Sequence, residues 1–115
     1  MIVCVLDDLL FSVKISTAAK SLGADVYFER TPGMAVARVK EKQPSLVIFD
    51  LNSAKLNPLA AISELKADAA TRGIRTLGFV SHVHADVINA ARQAGIDEVL
   101  ARSAFSDRLG EILKG

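Results

Sequence analysis

The segment Leu46–Asn52 constrains the fold more than any other part of the sequence. Its first four residues are apolar, and Val47, Ile48 and Phe49 are residue types that favour β-strands. A strand that is apolar at every position has both faces covered, which is typical of a central strand in a parallel sheet. Asp50 ends this strand, and functional groups collect at the carboxyl ends of strands in open α/β sheets. The alternative is a carboxylate that only caps a turn.

The rest of the chain alternates between short apolar runs and segments in which apolar residues recur at helical spacing. In order, the predicted elements are a strand at 2–6, a helix at 9–22, a strand at 25–29, a helix opened by Thr31-Pro32 that ends near 42, the strand at 46–50, a helix opened by Asn57-Pro58 and broken at Arg72-Gly73, a strand at 75–80, a helix at 85–94, a strand at 96–101 and a last helix capped by Ser103 or Ser106. Five strand–helix units predict an α/β fold with a five-stranded parallel sheet, doubly wound, in three layers.

Helical spacing also predicts which residues face the core. The face expected for the first helix consists of apolar and small residues: Leu10, Val13, Leu22, Thr17 and Ala18. For later helices the expected faces are Val87, Ile88 and Ala91, and Leu109, Ile112 and Leu113. The strand at 25–29 is less apolar than the others, so we expect it near an edge of the sheet.

Composition narrows the class of protein. We expect 115 residues, half of them hydrophobic, to form one domain spanning 1–115. The 14 basic and 13 acidic residues are dispersed, so no basic stripe favours nucleic acid as a partner. No apolar run approaches the roughly 18 residues of a membrane span, and the start lacks a signal-peptide pattern. A single cysteine, Cys4, fits a reducing compartment, and we expect a cytoplasmic protein.

Polar side chains follow four of the five predicted strands: Asp7 and Asp8, Asp50, Ser81 and Arg102. The carboxyl ends of parallel strands meet at one edge, so these groups are expected together. Three carboxylates repel one another unless a cation lies among them, and oxygen ligands of this kind suit Mg²⁺. A hydroxyl and a guanidinium can bind the oxygens of a phosphoryl group. These groups predict metal-assisted phosphoryl chemistry with an aspartate nucleophile.

With these residues the chain resembles the receiver domain of bacterial two-component response regulators, of the single-domain chemotaxis-regulator kind. The resemblance spans Ile2 to Leu113. Its motifs are the pair Asp7-Asp8, the acceptor segment 47–52, Ser81 after Gly78-Phe79-Val80, and the segment 90–100. It implies a flavodoxin-like (βα)₅ fold and a protein that is not an enzyme.

The resemblance also implies roles for single residues. Asp50 would accept a phosphoryl group from a sensor histidine kinase or phosphotransfer protein. Asp8 would be the main Mg²⁺ ligand, supported by Asp7, Asp50 and the backbone carbonyl of Asn52. Ser81 would bond the phosphoryl group and shift inward as a switch. Output would pass to a downstream protein through the fourth helix, fifth strand and fifth helix.

The sequence differs from the family where the signal is transmitted. The family's lysine on strand five is matched by Arg102, which is followed by Ser103 instead of the usual proline. The family's aromatic switch residue on strand five is matched by Val99. Arginine keeps the charge but differs from lysine in size and geometry, and it could instead be an ion-pair partner that closes an inert pocket over Asp50. These differences, with Ala54 in the loop after Asp50, support an alternative: a pseudo-receiver that binds a protein without phosphorylation. A small-ligand-binding domain is a third possibility, which the absence of a glycine-rich phosphate loop disfavours.

The segment His82-Val83-His84-Ala85-Asp86 contains a His-x-His-x-Asp pattern that occurs in metallohydrolases. Catalytic zinc needs three protein ligands, and the chain has no further histidine. A solvated loop after the fourth strand is the favoured interpretation.

Overall fold

The computed structural model describes residues 1–81 and 85–114. Its strands are β1 (Ile2–Val5), β2 (Val26–Glu29), β3 (Leu46–Asp50), β4 (Arg75–Val80) and β5 (Glu98–Ala101). Its helices are α1 (Leu9–Leu22), α2 (Ala35–Lys42), α3 (Pro58–Ala67), α4 (Ala85–Ala94), α5 (Arg102–Asp107) and α6 (Leu109–Lys114), with a 3₁₀ turn at Ala54–Leu56. None of the helices in the described ranges is long and apolar enough to cross a membrane.

The five strands form one parallel sheet in the order β2-β1-β3-β4-β5. The predicted fold class is therefore confirmed. The all-apolar strand β3 lies at the centre and the less apolar β2 at an edge, as their compositions indicated. Asp50 pairs with Phe79 in the register of β3 and β4, so the acceptor candidate stands at the carboxyl end of the central strand.

Alternate residues of the strands build a core on each face of the sheet, because successive side chains point to opposite sides. In β1, Ile2 and Cys4 pack on the face covered by α1, α5 and α6, and Val3 and Val5 pack on the face covered by α2, α3 and α4. The sheet is thus buried on both sides, and its carboxyl edge is left for polar groups.

Helix α1 has the predicted ends but buries a different face. Leu10 and Val13 are 85% and 63% exposed, whereas Phe11, Ile15 and Ala19 are buried. The prediction was wrong because the sequence holds two apolar stripes, and the stripe with the aromatic ring buries more area. Phe11 packs against Phe79 and Phe105 at centroid distances of 4.9 and 5.7 Å.

Helix α2 begins at Ala35 instead of Thr31-Pro32. The backbone N–H of Thr31 donates to Glu29 Oε2 at 3.1 Å, and Gly33 has a φ of 80°, in the left-handed region. A helix cannot pass through that conformation, so it begins only beyond Gly33. Arg38 Nε donates to the other oxygen of buried Glu29 at 2.9 Å, which fixes α2 to the end of β2.

The last helix was predicted to start after a serine cap, and this too was wrong. The chain turns directly from β5 into α5, with Ala101 as the capping residue and Arg102 as the first helical residue. A turn at Arg108 separates α5 from α6. The predicted apolar face is confirmed, since Leu109, Ile112 and Leu113 are all buried.

A polar network on Asp97 holds the start of β4 against the turn before β5. Oδ2 of Asp97 accepts hydrogen bonds from the backbone N–H and hydroxyl of Thr76 at 2.8 and 2.9 Å, and from Lys66 Nζ at 2.9 Å. Burial raises the pKa of Asp97, but these donors outweigh burial and hold the pKa below its usual range. The ionised carboxylate therefore stabilises the folded protein.

We expect Asp97→Asn to lower the free energy of unfolding at neutral pH by about 0.5–1 kcal/mol, since the pair is partly exposed. A lowered pKa gives stability that is present above the pKa of the unfolded chain, about 3.9, and is lost as pH falls through the folded-state value. The difference in the free energy of unfolding between variant and wild type should therefore shrink in acid. Urea denaturation at neutral pH and near pH 3 measures it, with the exposed Asp107→Asn as the control; a difference independent of pH would contradict this account.

Candidate phosphoryl-acceptor site

The sheet topology brings all the predicted site residues to one edge. Asp50 is the last residue of β3, and Ser81 directly follows β4. Asp7 and Asp8 lie between β1 and α1, and Arg102 opens α5 directly after β5. Parallel strands put these positions side by side, as the sequence predicted.

Asp50 is half-buried at this edge, and its Oδ1 accepts the backbone N–H of Asn52 at 3.0 Å. Burial is the main factor that raises the pKa of Asp50, and the charges of Asp7 and Asp8 add to it. The Asn52 N–H and the charge of Arg102 act in the opposite direction. Asp50 is thus a desolvated carboxylate among like charges, an arrangement that recurs at reactive sites.

Asp8 caps α1 and also forms an ion pair. Its Oδ1 accepts the backbone N–H of Phe11 at 3.0 Å, and its Oδ2 accepts from Nη2 of Arg102 at 2.7 Å. The Phe11 hydrogen bond, followed by Arg102, holds the pKa of Asp8 below its usual range. Both oxygens of the carboxylate predicted as the main metal ligand therefore already have a partner.

Arg102 is held from two sides. Its guanidinium lies 4.3 Å from the ring centroid of Phe11 and pairs with the carboxylate of Asp8. The suggestion that Arg102 pairs directly with Asp50 is therefore corrected: the ion pair is to Asp8, and Asp50 experiences the guanidinium through its charge. The ring of Phe11, which the sequence analysis did not include in the site, supports the cation.

Ser81 is bound to the side chain of Asn52. Oδ1 of Asn52 accepts both the backbone N–H of Ser81, at 2.7 Å, and its hydroxyl, at 3.0 Å. Asn52 was expected to contribute only its backbone carbonyl, which here accepts the N–H of Ala54 at 3.1 Å. Ser53, which was not among the predicted site residues, is buried and donates its hydroxyl to Asp7 Oδ1 at 3.3 Å. The polar run after the acceptor was the available signal for both contacts.

The edge offers Mg²⁺ the right kind of ligand. Asp7, Asp8 and Asp50 present carboxylate oxygens and Asn52 a carbonyl, as hard cations prefer. Within residues 1–81 and 85–114, however, no three carboxylate, histidine or cysteine side chains already stand close enough to form an ion site. Arg102 is the group that a metal ion at Asp8 would meet.

The His-x-His-x-Asp pattern cannot be placed in full. His82 and His84 lie outside the described residues, and Asp86 is exposed in the first turn of α4.

Solved structures with the same fold include response regulators and a receiver domain. A response regulator from Hahella chejuensis has 18% identity and a TM-score of 0.84, covering 98% of this chain and 92% of that chain. The receiver domain of sensor histidine kinase PA1611 from Pseudomonas aeruginosa PAO1, with a magnesium ion coordinated in its active-site cleft, has 21% identity and a TM-score of 0.84, covering 98% and 93%. The chemotaxis response regulator CheY4 of Vibrio cholerae has 13% identity and a TM-score of 0.83, covering 98% and 94%.

No family model and no curated protein matches the chain. The resemblance to receiver domains is thus confirmed at the level of the fold, over nearly the whole chain. At these identities the likeness does not extend to activity, which has to be argued from the residues at the edge.

Proposed function

We propose that this protein is a phosphoacceptor in two-component signal transduction, with Asp50 as the acceptor. The observation that supports it most is the half-buried Asp50 carboxylate at the end of the central strand, with two further carboxylates and a guanidinium close enough to influence its pKa. Such a carboxylate can act as a nucleophile on phosphorus.

In the proposed reaction an Asp50 carboxylate oxygen attacks the phosphorus of a phosphohistidine on a kinase or phosphotransfer protein. The bond between oxygen and phosphorus forms as the bond between phosphorus and the imidazole nitrogen breaks, and the imidazole keeps the electron pair. The Asn52 N–H holds Oδ1 of Asp50 and so leaves the other oxygen to react. Bound Mg²⁺ would supply charge neutralisation between the carboxylates and the phosphoryl oxygens.

Under this proposal Mg²⁺ is held by Asp7, Asp8, Asp50 and the backbone carbonyl of Asn52. The hydroxyl of Ser81 breaks its hydrogen bond to Asn52 and binds a phosphoryl oxygen instead. Ser81 thus exchanges a hydrogen bond to a neutral amide for a charge-assisted one. The protein acts as a carrier and not as an enzyme, in the cytoplasm, and passes its signal to a protein through α4, β5 and α5. Neither a nucleic acid nor a membrane is a proposed partner.

An exposed apolar surface lies at the start of α1. The large hydrophobic residues that are most exposed all belong to the first 34 residues, and Leu9, Leu10 and Val13 form an apolar face at the start of α1. On α4, by contrast, Val87 and Ile88 pack against the core, as their helical spacing predicted. The apolar face adjoins Asp8, so a donor protein bound there can bring its phosphohistidine to Asp50.

We expect Leu10→Glu to slow phosphoryl transfer from a histidine phosphotransfer domain by on the order of tenfold, because a charge replaces a central apolar contact. Labelling of Asp50 by acetyl phosphate should stay unchanged, since that small donor needs no docking surface. Radiolabel transfer measures both reactions. The matched control is Asn89→Glu on the exposed side of α4; equal slowing by the two variants would exclude α1 as the docking surface.

Incubation with Mg²⁺ and acetyl phosphate or beryllofluoride, followed by intact mass and tryptic peptide analysis, tests the proposed function. A labile adduct on the peptide containing Asp50, absent from Asp50→Asn, supports it. Absence of any adduct, together with no Mg²⁺-dependent change in stability, rejects it.

A pseudo-receiver that binds a partner without phosphorylation is the second candidate. Two contacts favour it: the pair between Arg102 and Asp8, and the hydrogen bonds of Ser81 to Asn52. In both contacts, groups that would bind a metal ion or a phosphoryl group are already bound to another residue of the protein. The labelling experiment separates the two functions, since the pseudo-receiver forms no adduct yet keeps its apolar α1 face for binding.

A further inference from the structure

The guanidinium of Arg102 occupies a place that a metal ion would need. Its Nη2 lies 2.7 Å from Asp8 Oδ2, the oxygen of Asp8 that does not cap α1. The other oxygen, Oδ1, receives the Phe11 N–H and points to the helix. A cation that approaches Asp8 from the edge therefore meets a position already filled by positive charge.

Arg102 is held there by more than the ion pair. The guanidinium lies over the ring of Phe11, and that ring is fixed by its contacts with Phe79 and Phe105. Arginine brings a planar, delocalised cation to an aromatic face, whereas the ammonium of lysine is a compact point charge. Asp8, Phe11 and Arg102 thus form a unit in which the helix cap, the ring and the cation hold one another in place.

We propose that Arg102 acts as a resident cation of the acidic edge, and that a divalent metal ion binds Asp8 only by displacing it. This rests on the proposed metal site of the phosphoacceptor and adds a control on it. Metal binding then requires loss of the ion pair and of the contact with Phe11, which weakens metal affinity. Displacement also frees the guanidinium, whose charge already acts on Asp50.

Substitution of a residue that helps to hold a metal ion weakens metal binding, whereas we expect substitution of Arg102 to strengthen it. Arg102→Gln removes the competitor, and we expect Mg²⁺ to bind about tenfold more tightly, the order of one part-exposed ion pair together with one cation–π contact. Loss of a positive charge anywhere on this edge also favours a cation slightly. Arg30, which follows β2 at the same edge and lies over Phe28, is the matched control, and Arg30→Gln should tighten binding by less than about twofold.

Titration of ¹⁵N-labelled protein with Mg²⁺ at neutral pH tests the proposal. The shifts of the Asn52 amide give the dissociation constant for wild type, Arg102→Gln and Arg30→Gln. The guanidinium Nη signals of Arg102 in the wild type provide a readout that needs no variant: a held guanidinium rotates slowly about Nε–Cζ, and we expect Mg²⁺ saturation to average the signals.

The proposal is supported if Arg102→Gln binds Mg²⁺ more tightly than both wild type and Arg30→Gln, and if Mg²⁺ averages the Nη signals of the wild type. Equal effects of the two variants, or Nη signals that do not change at saturation, overturn it. If the wild type binds Mg²⁺ and is labelled on Asp50 but Arg102→Gln leaves the dissociation constant unchanged, this inference alone fails. If none of the three proteins binds Mg²⁺, the inference and the proposed metal site both fail.

Discussion

Asp50→Asn is expected to abolish phosphoryl labelling and, at neutral pH, to raise the melting temperature by several degrees. Labelling disappears because the amide is not a nucleophile toward phosphorus. Stability rises because the ionised Asp50 is partly desolvated and repelled by Asp7 and Asp8, and an amide of the same shape removes both costs. Calorimetry of wild type and variant measures the second effect alongside the mass analysis.

The pH dependence follows from the raised pKa of Asp50. A raised folded-state pKa gives stability that is fully present below the unfolded value, about 3.9, and is lost as pH rises through the folded value. The stability of wild type relative to Asp50→Asn should therefore fall as pH rises over that window, and the two proteins should converge in acid. Asp25→Asn, an exposed carboxylate near the opposite end of the sheet, is the control. A lower melting temperature for Asp50→Asn at neutral pH would show that attraction to Arg102 outweighs burial.

Ile15→Ala is expected to lower the free energy of unfolding by about 2–5 kcal/mol, and Leu10→Ala by less than about 0.5 kcal/mol. Both residues belong to α1, yet Ile15 is fully buried against the sheet and Leu10 is 85% exposed. Urea or guanidinium denaturation measures the difference. Since a domain of this size has about 5–15 kcal/mol of stability in total, the first loss is large.

This pair of variants also tests which face α1 buries. Similar losses for both, or a larger loss for Leu10→Ala, would mean that the face expected from the sequence, with Leu10, Val13 and Leu22, is the buried one. The outcome bears on function as well. If Leu10 contributes nothing to stability, its substitutions can probe docking of a donor protein without disturbing the fold.

The sequence alone determined the architecture and the position of the acceptor. Apolar runs, turn residues and helical spacing are local signals, and they predicted five strand–helix units, a central β3 and an edge β2. Parallel strands necessarily bring their carboxyl ends together, so the polar residues after each strand could be assigned to one edge without coordinates. The ends of α1 and α4 follow from the same local patterns.

Only the tertiary structure decided which groups touch. The partners Arg102 and Asp8 are 94 residues apart, and Ser81 and Asn52 are 29 apart. No local pattern encodes such distances, because they depend on how helices and loops pack over the sheet. The sequence left the buried face of α1 undecided for the same reason, because the helix carries two apolar stripes. The aromatic contacts of Phe11 with Phe79 and Phe105 determined which stripe is buried. That choice placed the Phe11 ring under Arg102 and left Leu10 in solvent.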